Sequence, residues 1–170
     1  MTNEEAVFLA NHYASLMSGE VKTTLKVLGA VRDEGGSYRP DEKSRTAWDL
    51  ATHVAQSDVW FLDGVINGRF GTDGDAAEAQ RAGFGTIADV VRFYEREVPA
   101  RLERVRAMSP ADLLRIVDFF GVVQWPAVKY LGLANNHGIH HRFQLTGYLR
   151  GLGSKVPAVY GGSADEPFAR

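Results

Sequence analysis

The sequence predicts an all-α protein built as a four-helix bundle, and three observations carry that prediction. Four long stretches repeat apolar residues every three or four positions, the spacing of one helix face. Glycine- or proline-rich breaks separate these stretches. Strand-like alternation is too sparse to build a sheet-based core. At 170 residues the chain is long enough for one substantial core, so a single domain over residues 1–170 is expected.

The first stretch runs from about Glu4 to Val31, with Val7, Ala10, Ala14, Met17, Val21, Leu25 and Leu28 on one face. The glycine pair and proline of RDEGGSYRP end it. The second opens at SRTAWD, where Thr46 and Asp49 have capping-box spacing, and continues through Leu50, Val54, Phe61 and Val65. NGRFGTDGDAAEAQRAGFG, rich in glycine and aspartate, reads as a loop, with or without a turn of helix. Thr86 and Asp89 repeat the entry signal for the third stretch, which carries Val91, Tyr94, Val98, Leu102 and Val105. Pro99 lies inside it. A kink or break is expected there, because proline removes a backbone donor and crowds the preceding turn. Ser109 and Pro110 then supply the N-cap and first position of a short helix. RIVDFFGVV is rich in β-formers and reads either as an extended connector or as one short strand. The last long stretch opens at Trp125-Pro126 and runs to about Arg150, with GLG as its stop.

Composition excludes several function classes. A net charge of −2 gives no electrostatic reason to expect nucleic acid or an anionic membrane as partner. The arginines of RFYEREVPARLERVRA are interleaved with glutamates, as on a solvated helix face. No signal peptide or membrane anchor is visible at the N-terminus, so a cytoplasmic location is expected. The absence of cysteine removes disulfides, thiolate metal ligands and a cysteine nucleophile together. Any thiol chemistry needs a thiol from outside the chain.

Three of the five histidines fall within NNHGIHHRFQLTGYLRGLG. Positions four apart lie about 40° apart around a helix. His137 and His141 are such a pair, and Leu131, Ala134, Gly138, Leu145 and Tyr148 share their side. Both rings therefore point into the bundle, with Ala134 and Gly138 leaving space beside them. Burying a polar ring costs about 1–3 kcal/mol unless its nitrogens find partners. Two solutions fit: hydrogen bonds to groups on a facing helix, or a shared metal ion. His53, on the same side of the second helix as Leu50, Ser57 and Trp60, supplies a third imidazole. Three neutral imidazoles suit a divalent transition metal such as zinc or nickel, and leave positions open for water or substrate. His140 is turned about 60° from His137 and is expected at the pocket rim or against a neighbouring helix. His12 lies off the apolar stripe and is expected to be exposed. The glutamate that follows the first histidine of a zinc-peptidase helix is replaced by Gly138. The inward Glu-x-x-His pairs of a di-iron bundle are also missing.

Taken together, YRPDEKSRTAWDLATHVAQSD, NNHGIHHRFQLTGYLRGLG and KVPAVYG, in this order and spacing, resemble the DinB family of four-helix metalloproteins. The likeness covers nearly the whole chain. It implies an up-down-down-up bundle, usually a homodimer, with a divalent metal held by three histidines that map onto His53, His137 and His141. One departure is visible: the family commonly reads His-His-Arg-Gly-Gln, and Phe143 stands here in the glycine's place. Position 143 is turned about 120° from His137 and about 160° from His141, so Phe143 should not block the metal, but neighbouring packing or the dimer contact is affected. The resemblance further implies relatives that use small thiols such as bacillithiol, mycothiol or glutathione.

Two functions follow as expectations. One is metal-dependent thiol transfer to a small electrophile in stress or detoxification; the other is a non-catalytic metal-binding dimer. Around the three histidines, Asp49 either holds the His53 ring by a hydrogen bond or serves Thr46 as capping partner. Trp60 and Tyr148 either line the cavity or pack the core. Arg142 and Arg150 are expected in surface ion pairs, with binding of an acidic substrate as the alternative.

Overall fold

The computed structural model describes residues 1–71 and 74–168 of the chain. They are predominantly helical. α1 spans Asn3–Gly29, α2 Ala47–Asn67, α3 Gly74–Ala82, α4 Ile87–Arg106, α5 Pro110–Leu114 and α6 Tyr130–Gly151. Two short strands, β1 (Ile116–Phe119) and β2 (Val123–Pro126), sit between α5 and α6.

Each of the four long helices packs against two others: α1 on α4 and α6, and α2 on α4 and α6. Their buried faces follow the helical period. On α1 the stripe is Ala6, Ala10, Ala14, Met17, Val21, Thr24 and Leu28, with the expected Val7 and Leu25 only half-buried on its flank. Leu50, Val54, Phe61 and Val65 are all buried on α2. On α4, Val90 and Phe93 are buried where Val91 was expected, beside Tyr94, Val98, Leu102 and Val105. Full burial of each large aliphatic side chain contributes about 1.5–3 kcal/mol, so these stripes dominate the fold's stability. Among the described residues no helix is long and apolar enough to cross a membrane.

Helix entries obey the local code. The Thr46 hydroxyl accepts from the Asp49 N–H (3.0 Å), and Thr86 forms a full capping box with Asp89. Ser109 caps α5, with Pro110 in its first turn. Pro99, by contrast, neither breaks α4 nor ends it. It is exposed, as is Glu95, so the carbonyl that loses its helical donor lies on the solvent side.

Three segments differ from expectation. The glycine- and aspartate-rich stretch contains the nine-residue helix α3 rather than a loop. RIVDFFGVVQWP forms an antiparallel hairpin, not one strand or a connector, with Val117 opposite Trp125 and Phe119 opposite Val123. Its turn places Phe120 and Gly121 at φ 55° and 72°, and the Asp118 carboxylate accepts from the Gly121 N–H (2.9 Å). The last helix consequently begins later than Trp125-Pro126, which belong to β2. A 3-10 turn, Ala127–Lys129, leads into α6. The Tyr130 hydroxyl donates to the Val117 carbonyl (2.8 Å) and ties the hairpin to the start of α6.

Candidate metal centre

α2 and α6 pack against each other, and that contact assembles the site. His53 comes from α2, and His137 and His141 come one turn apart from α6. Each offers a ring nitrogen, and the three nitrogens lie within 4.8 Å of one another. Ring centroids are 4.4 Å apart for His137 and His141, 4.5 Å for His53 and His141, and 5.2 Å for His53 and His137. All three are half-buried.

The surroundings hold these rings in the form that can ligate. Burial, with the charge of Arg45 and the facing His141 and His137, lowers His53 from 6.5 to about 3. Burial and the neighbours His141, His140 and Arg45 lower His137 to about 4. His141 is also lowered, mainly by burial, against the hydrogen bond to Gln144. At neutral pH all three are uncharged. His141 Nδ1 lies 2.7 Å from Gln144 Oε1. An amide oxygen can only accept, so Nδ1 carries the proton and Nε2 keeps its lone pair. His137 Nδ1 is buried with no hydrogen-bond partner among the described residues. A neutral, converging imidazole set containing an orphaned buried nitrogen has the donor chemistry of a divalent transition-metal site.

The other expected residues surround this centre in different ways. Asp49 stands on the rim of an open cleft of about 200 Å³ that reaches His53. Its carboxylate is engaged by the Thr46 hydroxyl (2.8 Å) and by Arg81 of α3 (2.8 Å), so it serves the cap and an interhelical ion pair instead of orienting His53. Trp60 belongs to the aromatic packing beneath the hairpin: it lies against Phe61, Phe70 and Phe120 and donates to the Gly71 carbonyl (3.0 Å). Phe61, its neighbour, is the aromatic ring that meets His137, at 5.0 Å. Tyr148 packs edge-on to Tyr38 and donates to the Arg45 carbonyl (3.2 Å). His140 is exposed, 4.9 Å from His141. His12 is exposed and stacks on Phe8.

Arg142 is the clearest correction. Instead of lying in a surface pair it is 2 % exposed. It makes an ion pair with Glu20, donates to Thr24 (3.2 Å) and donates to the Tyr160 hydroxyl, binding the C-terminal segment to α1 and α6. Arg150 does form an exposed pair, with Asp165 (2.8 Å). The space expected beside Gly138 is occupied: a Cβ there would lie 2.7 Å from Asp58 Oδ1. Asp58 is buried and accepts from the Tyr94 hydroxyl (2.7 Å). Burial raises it to about 6, while Tyr94 and Arg142 hold it down. Phe143 is 78 % exposed and does not line the cleft at His53, so it leaves the centre clear.

Sequence reading missed Gln144, Arg45, Phe61 and the wall made by α3. Gln144 was findable as the position three after His141, one helical turn away. The others depend on tertiary contacts.

The DinB family model matches residues 1–167. Among solved structures, a DinB-like protein from Bacillus subtilis is similar at 23 % identity and a TM-score of 0.70, over 87 % of this chain and 96 % of that one. A DinB-like protein from Bacillus cereus is similar at 24 % identity and a TM-score of 0.70, over 87 % and 95 %. No curated protein sequence matches the chain.

Proposed function

The chain belongs to the DinB family, and from that premise we propose that it is a divalent-metal-dependent enzyme transferring a small external thiol to an electrophilic small molecule. The observation that carries this reading is the convergence of His53, His137 and His141 beside an open cleft, in a chain without cysteine. These three imidazoles would hold zinc or nickel as neutral ligands, His141 through Nε2 because Gln144 takes its other nitrogen. When bound, such a metal supplies Lewis acidity that lowers the pKa of a nearby thiol. The protein's part is to fix three donors, keep them unprotonated and leave one side accessible. Phe61 and the packed faces of α2 and α6 close the opposite side. An up-down-down-up helix course, a homodimeric assembly and a role in stress or detoxification, by likeness to the family, complete the proposal together with a cytoplasmic location.

The test is a screen of the zinc- and nickel-loaded protein with glutathione, bacillithiol and mycothiol against 1-chloro-2,4-dinitrobenzene. Loss of chloride with formation of the thioether, abolished in His53→Ala, is the expected result. A protein that binds metal but accelerates none of these reactions is a metal-binding module instead.

A further inference from the structure

Resting on the metal reading above, we infer that the cleft beside His53 is an anion subsite, and that Arg45 selects thiols or substrates carrying a carboxylate. Three neutral ligands cancel none of a divalent ion's charge, so a bound metal leaves the cleft strongly positive. The cleft side chains balance, Arg45 and Arg81 against Asp49 and Glu78, with Thr52, His53 and Gln56 between them. Arg81 is already committed, to Asp49 at 2.8 Å and Glu78 at 3.7 Å. Gln56 is also committed, donating to the Ala77 carbonyl (2.7 Å) and to Gln80 (3.0 Å), which braces α3 across the opening. Arg45 is different. It is exposed, and it makes no ion pair among the described residues.

Its backbone is nevertheless fixed. The Tyr148 hydroxyl holds the Arg45 carbonyl (3.2 Å), and Thr46, the next residue, caps α2. The guanidinium therefore hangs from an anchored point between the two helices that supply the histidines. It shares one cleft with His53. A planar, permanently charged fork with no ion pair among the described residues, beside a cationic centre, is suited to a carboxylate held in two-point contact. The ligand class is a small thiol or electrophile with an anionic group a few bonds from its reactive atom.

The test is calorimetric titration of the zinc-loaded full-length chain with mercaptosuccinate and with neutral 2-mercaptoethanol. Wild type should bind mercaptosuccinate more tightly, and the preference should weaken as salt is raised. Arg45→Gln should lose about fivefold in affinity for mercaptosuccinate, near the upper end for an exposed ion pair. Zinc content and 2-mercaptoethanol affinity should not change. Lys22→Gln, an equal loss of charge on the exposed side of α1, should leave the preference intact. Equal mercaptosuccinate affinity in wild type and Arg45→Gln, with zinc bound in both, overturns the inference alone. Failure of wild type to take up zinc overturns the metal reading, and this inference with it.

Discussion

Gln144 and Gly138 do different work within one turn of α6. Gln144 fixes the tautomer of His141 from the exposed side, so Gln144→Ala should leave the fold intact and weaken zinc binding about tenfold, measured by competition with a chromophoric chelator. Gly138 allows the buried Asp58 carboxylate to approach the backbone of α6. Gly138→Ala forces its Cβ to within 2.7 Å of Oδ1 and 3.2 Å of Oδ2. Overpacking of this kind costs about 1–3 kcal/mol, seen as a lower urea midpoint in the metal-free protein. The inward turn of the three histidines was legible from spacing, because the pair four apart on α6 and the single ring on α2 both lie on apolar faces; the resemblance then singled them out as one ligand set. Arg142 was not. It is buried among Glu20, Thr24 and Tyr160, and no local pattern announces that α1 and the C-terminal segment will close over a charged residue.

Elements with strong apolar stripes and threonine or serine caps were legible to within a few residues, as α1, α2, α4 and α5 show. α3 was hidden because its described contacts to α2 are polar, Gln56 to Ala77 and Asp49 to Arg81, so no hydrophobic period marks it. The hairpin was hidden because its turn is Phe120-Gly121 rather than asparagine-glycine, and both flanks are apolar. α3 also gives a prediction. Arg81→Ala removes its ion pair to Asp49 while leaving the three histidines in place. Hydrogen exchange should rise in residues 77–82, with metal affinity changed less than about twofold, as befits a half-exposed pair.

Across the whole molecule, pH acts through two opposing groups. His53 and His137 titrate at about 3 and about 4 in the folded chain, against 6.5 unperturbed. The stability they confer is present above 6.5 and is lost as pH falls through those lower values. Asp58, raised to about 6, acts in reverse: its contribution is present below 3.8 and is lost as pH rises through about 6. The metal-free protein should therefore lose stability on acidification from pH 7 to 4, and Asp58→Asn should steepen that loss. Bound metal competes with protons for the same rings, so the melting temperature of loaded protein should fall more over this range than that of metal-free protein. The three-histidine site is tested most directly by calorimetric titration of zinc into metal-free wild type, His141→Ala and His12→Ala at pH 7.5. The expected result is about one ion per chain for wild type and His12→Ala, with affinity reduced at least tenfold in His141→Ala. Absence of binding in wild type, or equal affinity in all three proteins, would contradict it.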